Sequence, residues 1–194
     1  GGAARLLTSA GKYGYLYTDL RMEFDPATHK LIDERALNVP VTGLAGTDAR
    51  VAALVQRYAT AVKPEAARVV GHLAGPAAKA AGDRESPVAD LIADAQFAAT
   101  RQPNHGHAEL SFINTGGART ALEPAADGSV TYGSIFALEP FGNDLVVKTL
   151  TGAQLKALLE QQFRTENGAS HLIDSILVPS ANFHFAYDLS RPDG

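Results

Sequence analysis

The chain predicts an α+β fold in which mixed sheets pack against helices. Segments of alternating or continuous apolar character recur at residues 13–24, 30–39, 68–73, 109–113, 145–150 and 182–188, the pattern of half-buried and buried strands. Helix starts with cap chemistry stand among them at Thr47 or Asp48, at Ser86-Pro87 and at Thr151-x-x-Gln154. The composition, 45% hydrophobic and 20% charged over 194 residues, supplies enough apolar surface for one or two globular domains.

Taken in order, residues 13–24 and 30–39 form a β-hairpin, with Asp25-Pro26-Ala27-Thr28 as the connecting turn. Thr47 or Asp48 caps a helix whose apolar residues Val51, Leu54, Val55, Tyr58 and Val62 recur at helical spacing, and Pro64 stops it. Residues 68–73 read as a strand that leads into an Ala/Gly/Pro-rich connection. Ser86 then supplies a cap hydroxyl and Pro87 the first helical position, with Val88, Leu91, Ile92 and Ala95 as the buried stripe. Residues 109–113 make the next strand. Residues 125–129 make a turn, Thr131 caps a short helix through Ala137, and Pro140 ends it. After the strand at 145–150, Leu155, Leu158, Leu159 and Phe163 give the Thr151 helix its apolar core face. The last strand sets Phe183, Phe185 and Tyr187 on one side, and the turn chemistry of residues 190–194 predicts a returning partner strand.

Composition narrows the function classes. A net charge of −4 with no basic stripe gives no electrostatic case for a nucleic-acid polymer. No apolar run approaches the ~20 residues of a membrane span. The absence of cysteine removes disulfides and thiolate chemistry. Gly1-Gly2-Ala3-Ala4 lacks the charged and apolar regions of a signal peptide. His105 and His107, in a Pro-Asn-His-Gly-His loop, have chelating spacing but no third ligand nearby in sequence, and read as a solvated loop. Asp90 and Asp94, four apart on a helix face, read as solvated or capping carboxylates.

The chemistry-bearing stretch runs from residue 112 to 145. Asn114-Thr115-Gly116-Gly117-Ala118-Arg119 follows a strand at once. Two adjacent glycines there let the backbone turn sharply, expose its N–H groups and come close to a ligand. Arg119 offers a planar fork suited to a phosphate or carboxylate. Farther on, Pro140-Phe141-Gly142-Asn143 presents a ring able to stack on a flat ligand, a glycine that frees space beside it, and an amide that both donates and accepts.

These residues carry a resemblance. The order N-x-G-G-x-R, P-F-G-N and L-T-G-x-x-L (residues 150–155) resembles the C-terminal domain of the 5'-nucleotidase family, which includes ecto-5'-nucleotidases and periplasmic UDP-sugar hydrolases. Residues 85–95, ESPVADLIADA, resemble that family's E-S-x-x-G-N-L-I-x-D-A helix. The resemblance implies a four-layer α/β/β/α domain lacking its last strands. It divides the chain into the end of a metallophosphatase domain (residues 1–45, the hairpin), a linker helix (46–66) and a truncated substrate-binding domain (67–194). It also implies a substrate site made of Asn114, Gly116, Gly117, Arg119, Phe141, Gly142 and Asn143: Arg119 on the phosphate, Asn114 on the nucleoside, Phe141 on one base face and Asn143 as a neighbouring polar contact. Some relatives carry a phosphate-binding arginine before the 85–95 helix. That position falls here on Gly82, with Arg84 as the substitute.

The resemblance further implies a parent phosphohydrolase, periplasmic or secreted, that releases phosphate from nucleoside phosphates. Its divalent metals, Zn, Mn or similar, would be held by an N-terminal metallophosphatase domain, the partner of this one. The six histidines form no D-x-H, G-N-H-E or G-H-x-H motif, and Gly71-His72 fails the last because Ala74 stands where histidine is needed. No catalytic or metal-ligating residue is therefore expected in this chain, which alone should be inactive. A different class, a stand-alone nucleoside-binding or interaction module, is consistent with the same residues. Within the enzyme class, cyclic nucleotides, 3'-nucleotides and UDP-sugars are alternative substrates.

Overall fold

The computed structural model describes residues 6–43, 46–80, 84–166, 169–173 and 175–190. The chain divides into two compact units, Gly1–Ala61 and Val62–Gly194.

The first unit is built on a hairpin. β1 (Leu16–Phe24) and β2 (Leu31–Pro40) pair antiparallel, in register from Leu16 opposite Pro40 to Glu23 opposite Asp33, with an irregularity at Phe24. Asp25 organises the connection: its Oδ1 accepts from the backbone N–H of Ala27 and Thr28 at 2.8 and 2.7 Å, and the bonds from Thr28 and Ala27 hold the carboxyl below its usual range. Helix α1 (Ala49–Ala66) crosses the boundary between the units. Asp48 caps it, with Oδ1 accepting from Arg50 N–H at 2.8 Å and Val51 N–H at 3.1 Å. Pro64 lies inside the helix rather than ending it. A proline in the last turn forfeits only its own N–H bond, and Ala67 N–H donates to Lys63 O at 2.9 Å beyond it. The stripe Val51, Leu54, Val55, Tyr58 and Val62 is exposed.

The second unit is mixed helix and sheet, as expected for an α+β chain, with its ladders two-stranded among the described residues. β3 (Val69–His72) pairs antiparallel with β5 (Ser129–Thr131). Between them the Asp127-Gly128 turn brings Gly128, at φ +82°, within reach of Leu73; a Cβ there would lie 3.0 Å from Leu73 O, and Leu73 N–H donates to Gly128 O. β4 (Phe112–Asn114) pairs antiparallel with β8 (Leu177–Pro179). β6 (Phe163–Glu166) and β7 (Ala169–Leu172) form a hairpin. Among the described residues three further α-helices belong to the unit: α2 (Pro87–Thr100), α3 (Tyr132–Leu138) and α4 (Gly152–Glu160). Thr131 and Thr151 close capping boxes with Ser134 and Gln154 at the starts of α3 and α4.

The core gathers Val88, Ala89, Ile92 and Ala93 of α2 against Ile113, Ile176 and Val178, with Ala77, Leu122, Val130 and Leu138 completing it. Each fully buried Val or Ile contributes about 1.5–3 kcal/mol, and small alanines let α2 lie close to the β4–β8 ladder. The buried stripe of α2 is thus 88, 89, 92, 93, not 88, 91, 92, 95: Leu91 is only partly buried and Ala95 is exposed. Ser86 holds the N-cap position in extended conformation, yet its hydroxyl makes no cap hydrogen bond.

Three expected elements differ. Residues 145–150 and 183–188 form no ladder, because no described strand lies alongside to pair with them. Alternation persists in the second without pairing, as Phe183, Phe185 and Tyr187 stack in series with centroids 6.4 Å apart. Phe163 opens β6 instead of continuing α4, and Leu155, Leu158 and Leu159 are only partly buried, lining grooves rather than a core. The turn expected over residues 190–194 lies, after Ser190, outside the described residues, as do Gly1-Gly2-Ala3-Ala4.

Asp90 carries an energetic cost. Its Oδ1 is buried without a hydrogen-bond partner among the described residues. Burial, and then the neighbouring carboxyls of Glu85 and Asp94, push its acid group up to about 6. A raised carboxyl stabilises the fold fully below its unfolded value, about 4, and loses that contribution as pH rises through about 6. Asp90→Asn removes the ionisable group. Thermal unfolding should therefore show the variant gaining about 1 kcal/mol over the wild type near neutral pH, after allowance for solvent screening, and gaining far less near pH ~4. An equal difference at both pH values would contradict this account.

Candidate functional site

The site begins where β4 ends. Asn114 leaves the ladder in extended conformation, and Thr115–Gly117 close one tight 3-10 turn. Thr115 N–H donates to Ile176 O at 2.9 Å, so the turn stays laced to the segment that enters β8. Neither Gly116 nor Gly117 has a positive φ, so conformational freedom is not what glycine supplies here. Space is. A Cβ on Gly117 would stand 2.9 Å from Ile113 Cδ1, and one on Gly116 3.1 Å from Asn114 Nδ2 and 3.3 Å from Ser175 Oγ. The turn also does not leave all its N–H groups exposed, since Gly116 N–H donates to Ser175 Oγ at 3.2 Å. Asn114 Nδ2 donates to the same hydroxyl at 3.2 Å.

Arg119 follows with its backbone N–H donating to Leu138 O at 2.8 Å, which ties it to the end of α3. Its Nη1 donates back to Gly116 O at 3.3 Å, and its guanidinium carbon sits 5.7 Å from the centre of the Phe141 ring. Charge, glycine turn and ring are thereby brought together. Phe141 is 44% exposed. With Asn143 it lines a groove of about 950 Å³ bounded by residues of α2, by residues 106–113 and by 143–150. Glu139 stands on the wall of this groove, and burial pushes its carboxyl up. Gly142 is not sterically required, because a Cβ there meets no atom within 4 Å.

The predicted residues thus fall into two groups: Asn114, Gly116, Gly117 and Arg119 around the turn, and Phe141 and Asn143 on the groove. The Arg119–Phe141 contact joins them. A second groove, about 470 Å³ between α4 and residues 183–189, includes none of them.

Two neighbours escaped the sequence reading. Ser175 lies 61 residues beyond Asn114, and Lys79 Nζ donates to Arg119 O at 3.4 Å from 40 residues upstream. No local motif marks either, since both reach the turn only through tertiary pairing. Arg84 is exposed, and Gly82 lies outside the described residues. Asp94 Oδ1 accepts from Ala181 N–H at 2.8 Å, a structural tie between α2 and the end of β8. His105 and His107 lie exposed in or beside the short turn Pro103–His105. Among the described residues no group of three or more His, Cys, Asp or Glu side chains could hold a metal ion, and no helix is long and apolar enough to cross a membrane.

The sequence matches the family model described as "5'-nucleotidase, C-terminal domain" over residues 69–194. It is 27% identical over 171 residues to Endonuclease YhcR of Bacillus subtilis (strain 168), covering 87% of this chain and 13% of that protein. It is 27% identical over 115 residues to the 5'-nucleotidase of Bos taurus, covering 57% of this chain and 19% of that one. The fold matches the crystal structure of the 5'-nucleotidase precursor from Thermus thermophilus with a TM-score of 0.51 and 28% identity, over 76% of this chain and 28% of that chain. This chain therefore spans less than a third of each of these proteins. Since the family model takes in the whole glycine turn, Arg119 and Phe141, and the same fold recurs in a solved 5'-nucleotidase, the chain belongs to the 5'-nucleotidase C-terminal domain family.

Proposed function

We propose that this chain is the nucleotide-recognition domain of a 5'-nucleotidase-like phosphohydrolase that releases phosphate from nucleoside phosphates. The observation that supports this most directly is the placement of the Arg119 guanidinium 5.7 Å from the Phe141 ring beside the glycine turn. A nucleoside monophosphate needs a cation for one end and an aromatic face for the other. Here the two stand side by side.

In this reading Arg119 holds the phosphate through charge-assisted hydrogen bonds, and Phe141 stacks on the base. Asn114 contacts the nucleoside and Asn143 supplies a further polar contact from the groove. Gly116 and Gly117 keep the turn compact enough for approach, and Gly142 leaves the ring's flank open. The chain's own residues bind and orient. In this reading the divalent ions, Zn, Mn or similar, belong to an N-terminal metallophosphatase domain. Such ions would polarise the phosphoryl group and supply hydroxide. Residues 1–45 and the helix at 46–66 are read as the end of that domain and the linker to this one, and the parent protein as periplasmic or secreted.

Two substitutions test the assignment in the whole enzyme that carries this domain. Arg119→Ala should lower kcat/KM for a nucleoside 5'-monophosphate by about 10-fold or more, the scale of one lost charge-assisted contact. An unchanged kcat/KM would remove Arg119 from the phosphate site. Phe141→Ala should raise KM by about 10-fold while leaving affinity for inorganic phosphate nearly unaltered, because base stacking is worth about 1–3 kcal/mol. Equal losses for nucleotide and phosphate would instead make Phe141 a support for Arg119.

A further inference from the structure

Ser175 stands at the meeting point of the turn and the nucleoside contact. It precedes β8, and the antiparallel register that sets Asn114 opposite Leu177 carries Ser175 alongside the turn. Its Oγ accepts two hydrogen bonds at 3.2 Å, one from the backbone N–H of Gly116 and one from Asn114 Nδ2. A Cβ on Gly116 would press on both partners at 3.1 and 3.3 Å, so the three groups are packed as well as bonded. With its amide nitrogen engaged in this way, Asn114 turns its other polar atom elsewhere. Among the described residues Asn114 Oδ1 accepts no hydrogen bond, and the residue is exposed.

We propose that Ser175 is a positioning residue that fixes Asn114 with its carbonyl oxygen outward, so that the site reads a hydrogen-bond donor on the nucleoside. This inference rests on the nucleotide reading given above. Had the amide been free to rotate, Asn114 would accept either a donor or an acceptor. Held with Nδ2 on Ser175 Oγ, it presents Oδ1 and takes a donor, either an N–H on the base edge or a ribose O–H. A ligand that puts a lone pair there leaves two acceptors facing each other, and one that puts nothing there leaves Oδ1 unanswered.

Isothermal titration of the whole protein that carries this domain, stripped of divalent metal so that no ligand is hydrolysed, separates the sources. The ligands are adenosine 5'-monophosphate, purine riboside 5'-monophosphate, which lacks the exocyclic amine, and the 2'-deoxy and 3'-deoxy analogues of adenosine 5'-monophosphate. The wild type should lose about 5- to 10-fold in affinity for the one analogue whose missing group Asn114 reads. Loss on removal of the amine assigns the base, and loss on removal of a hydroxyl assigns the ribose. Ser175→Ala should bind adenosine 5'-monophosphate about 5- to 10-fold more weakly and no longer distinguish that analogue, whereas Ser175→Thr, which keeps the hydroxyl, should regain both. A merely structural role would weaken all four ligands alike and preserve their ratios. Should Ser175→Ala fail to fold, the wild-type series and Ser175→Thr still decide the point. Wild-type indifference to all three deletions, or a Ser175→Ala variant with wild-type discrimination, overturns the inference. A wild type that binds none of the four overturns the nucleotide reading itself, and this inference with it.

Discussion

The antiparallel pairing of β4 with β8 is the constraint on which the site depends. It spans only three residue pairs, Phe112 with Pro179, Ile113 with Val178 and Asn114 with Leu177. Two short strands cannot hold a geometry in water by themselves. The packing of α2 across them makes the difference, since Val88, Ala89, Ile92 and Ala93 bury Ile113 and Val178 from one side. Pro179 costs the ladder little because a strand with a neighbour on one side has backbone donors to spare. From this base Thr115 N–H reaches Ile176 O, Ser175 reaches Gly116 and Asn114, and Ser180 Oγ accepts from Ser111 N–H at the other end. A one-residue slip of β8 would turn Val178 out of the core and carry Ser175 away from the turn together. Stability and site geometry are therefore set by the same register.

Much of this was legible in the sequence because it is local. The Thr151-x-x-Gln154 spacing foretold a capping box that forms with Thr151 N–H donating to Gln154 Oε1 at 2.8 Å. Asp25-Pro26 foretold the hairpin turn, and of the two cap candidates Thr47 and Asp48 it is Asp48 that caps α1. For the glycine pair the sequence suggests backbone freedom, whereas absence of a side chain is what Ile113 and Ser175 demand. Residues joined across long separations were not legible. β5, β6, β7 and β8 are each only three or four residues long, too short for alternation to stand out from chance. Ser175 lies among them, in a stretch with no motif.

The two segments expected as strands show the limit of periodicity as a signal. Residues 183–188 keep the alternation, with Phe112, Phe183, Phe185, Tyr187 and Phe163 linked by successive ring contacts of 5.3 to 6.4 Å. Alternation reports that one face meets apolar partners. It does not report that a second backbone lies at hydrogen-bonding distance. Residues 145–150 do not keep the alternation: all six line the larger groove and stay exposed, and Val147 packs against Gly106 so closely that a Cβ on that glycine would approach within 2.7 Å. Gly106 also has φ +107°, so it is glycine for both reasons, contact and conformation.

The contact between Arg119 and Phe141 has a consequence for binding. A cation over an exposed ring is worth about 0.5–1 kcal/mol, and the 3.3 Å bond from Nη1 to Gly116 O adds a charge-assisted contact. The guanidinium is thus anchored on the turn at one end and on the ring at the other, with less side-chain entropy left to lose on binding. A base that stacks on Phe141 does so on a ring whose neighbour is already in place. Because cation and ring lie only 5.7 Å apart, one short molecule can reach both. In the proposed reading the arrangement favours a ligand that joins negative charge to a flat ring over either piece alone, since the ordering cost is met once while two contacts are made.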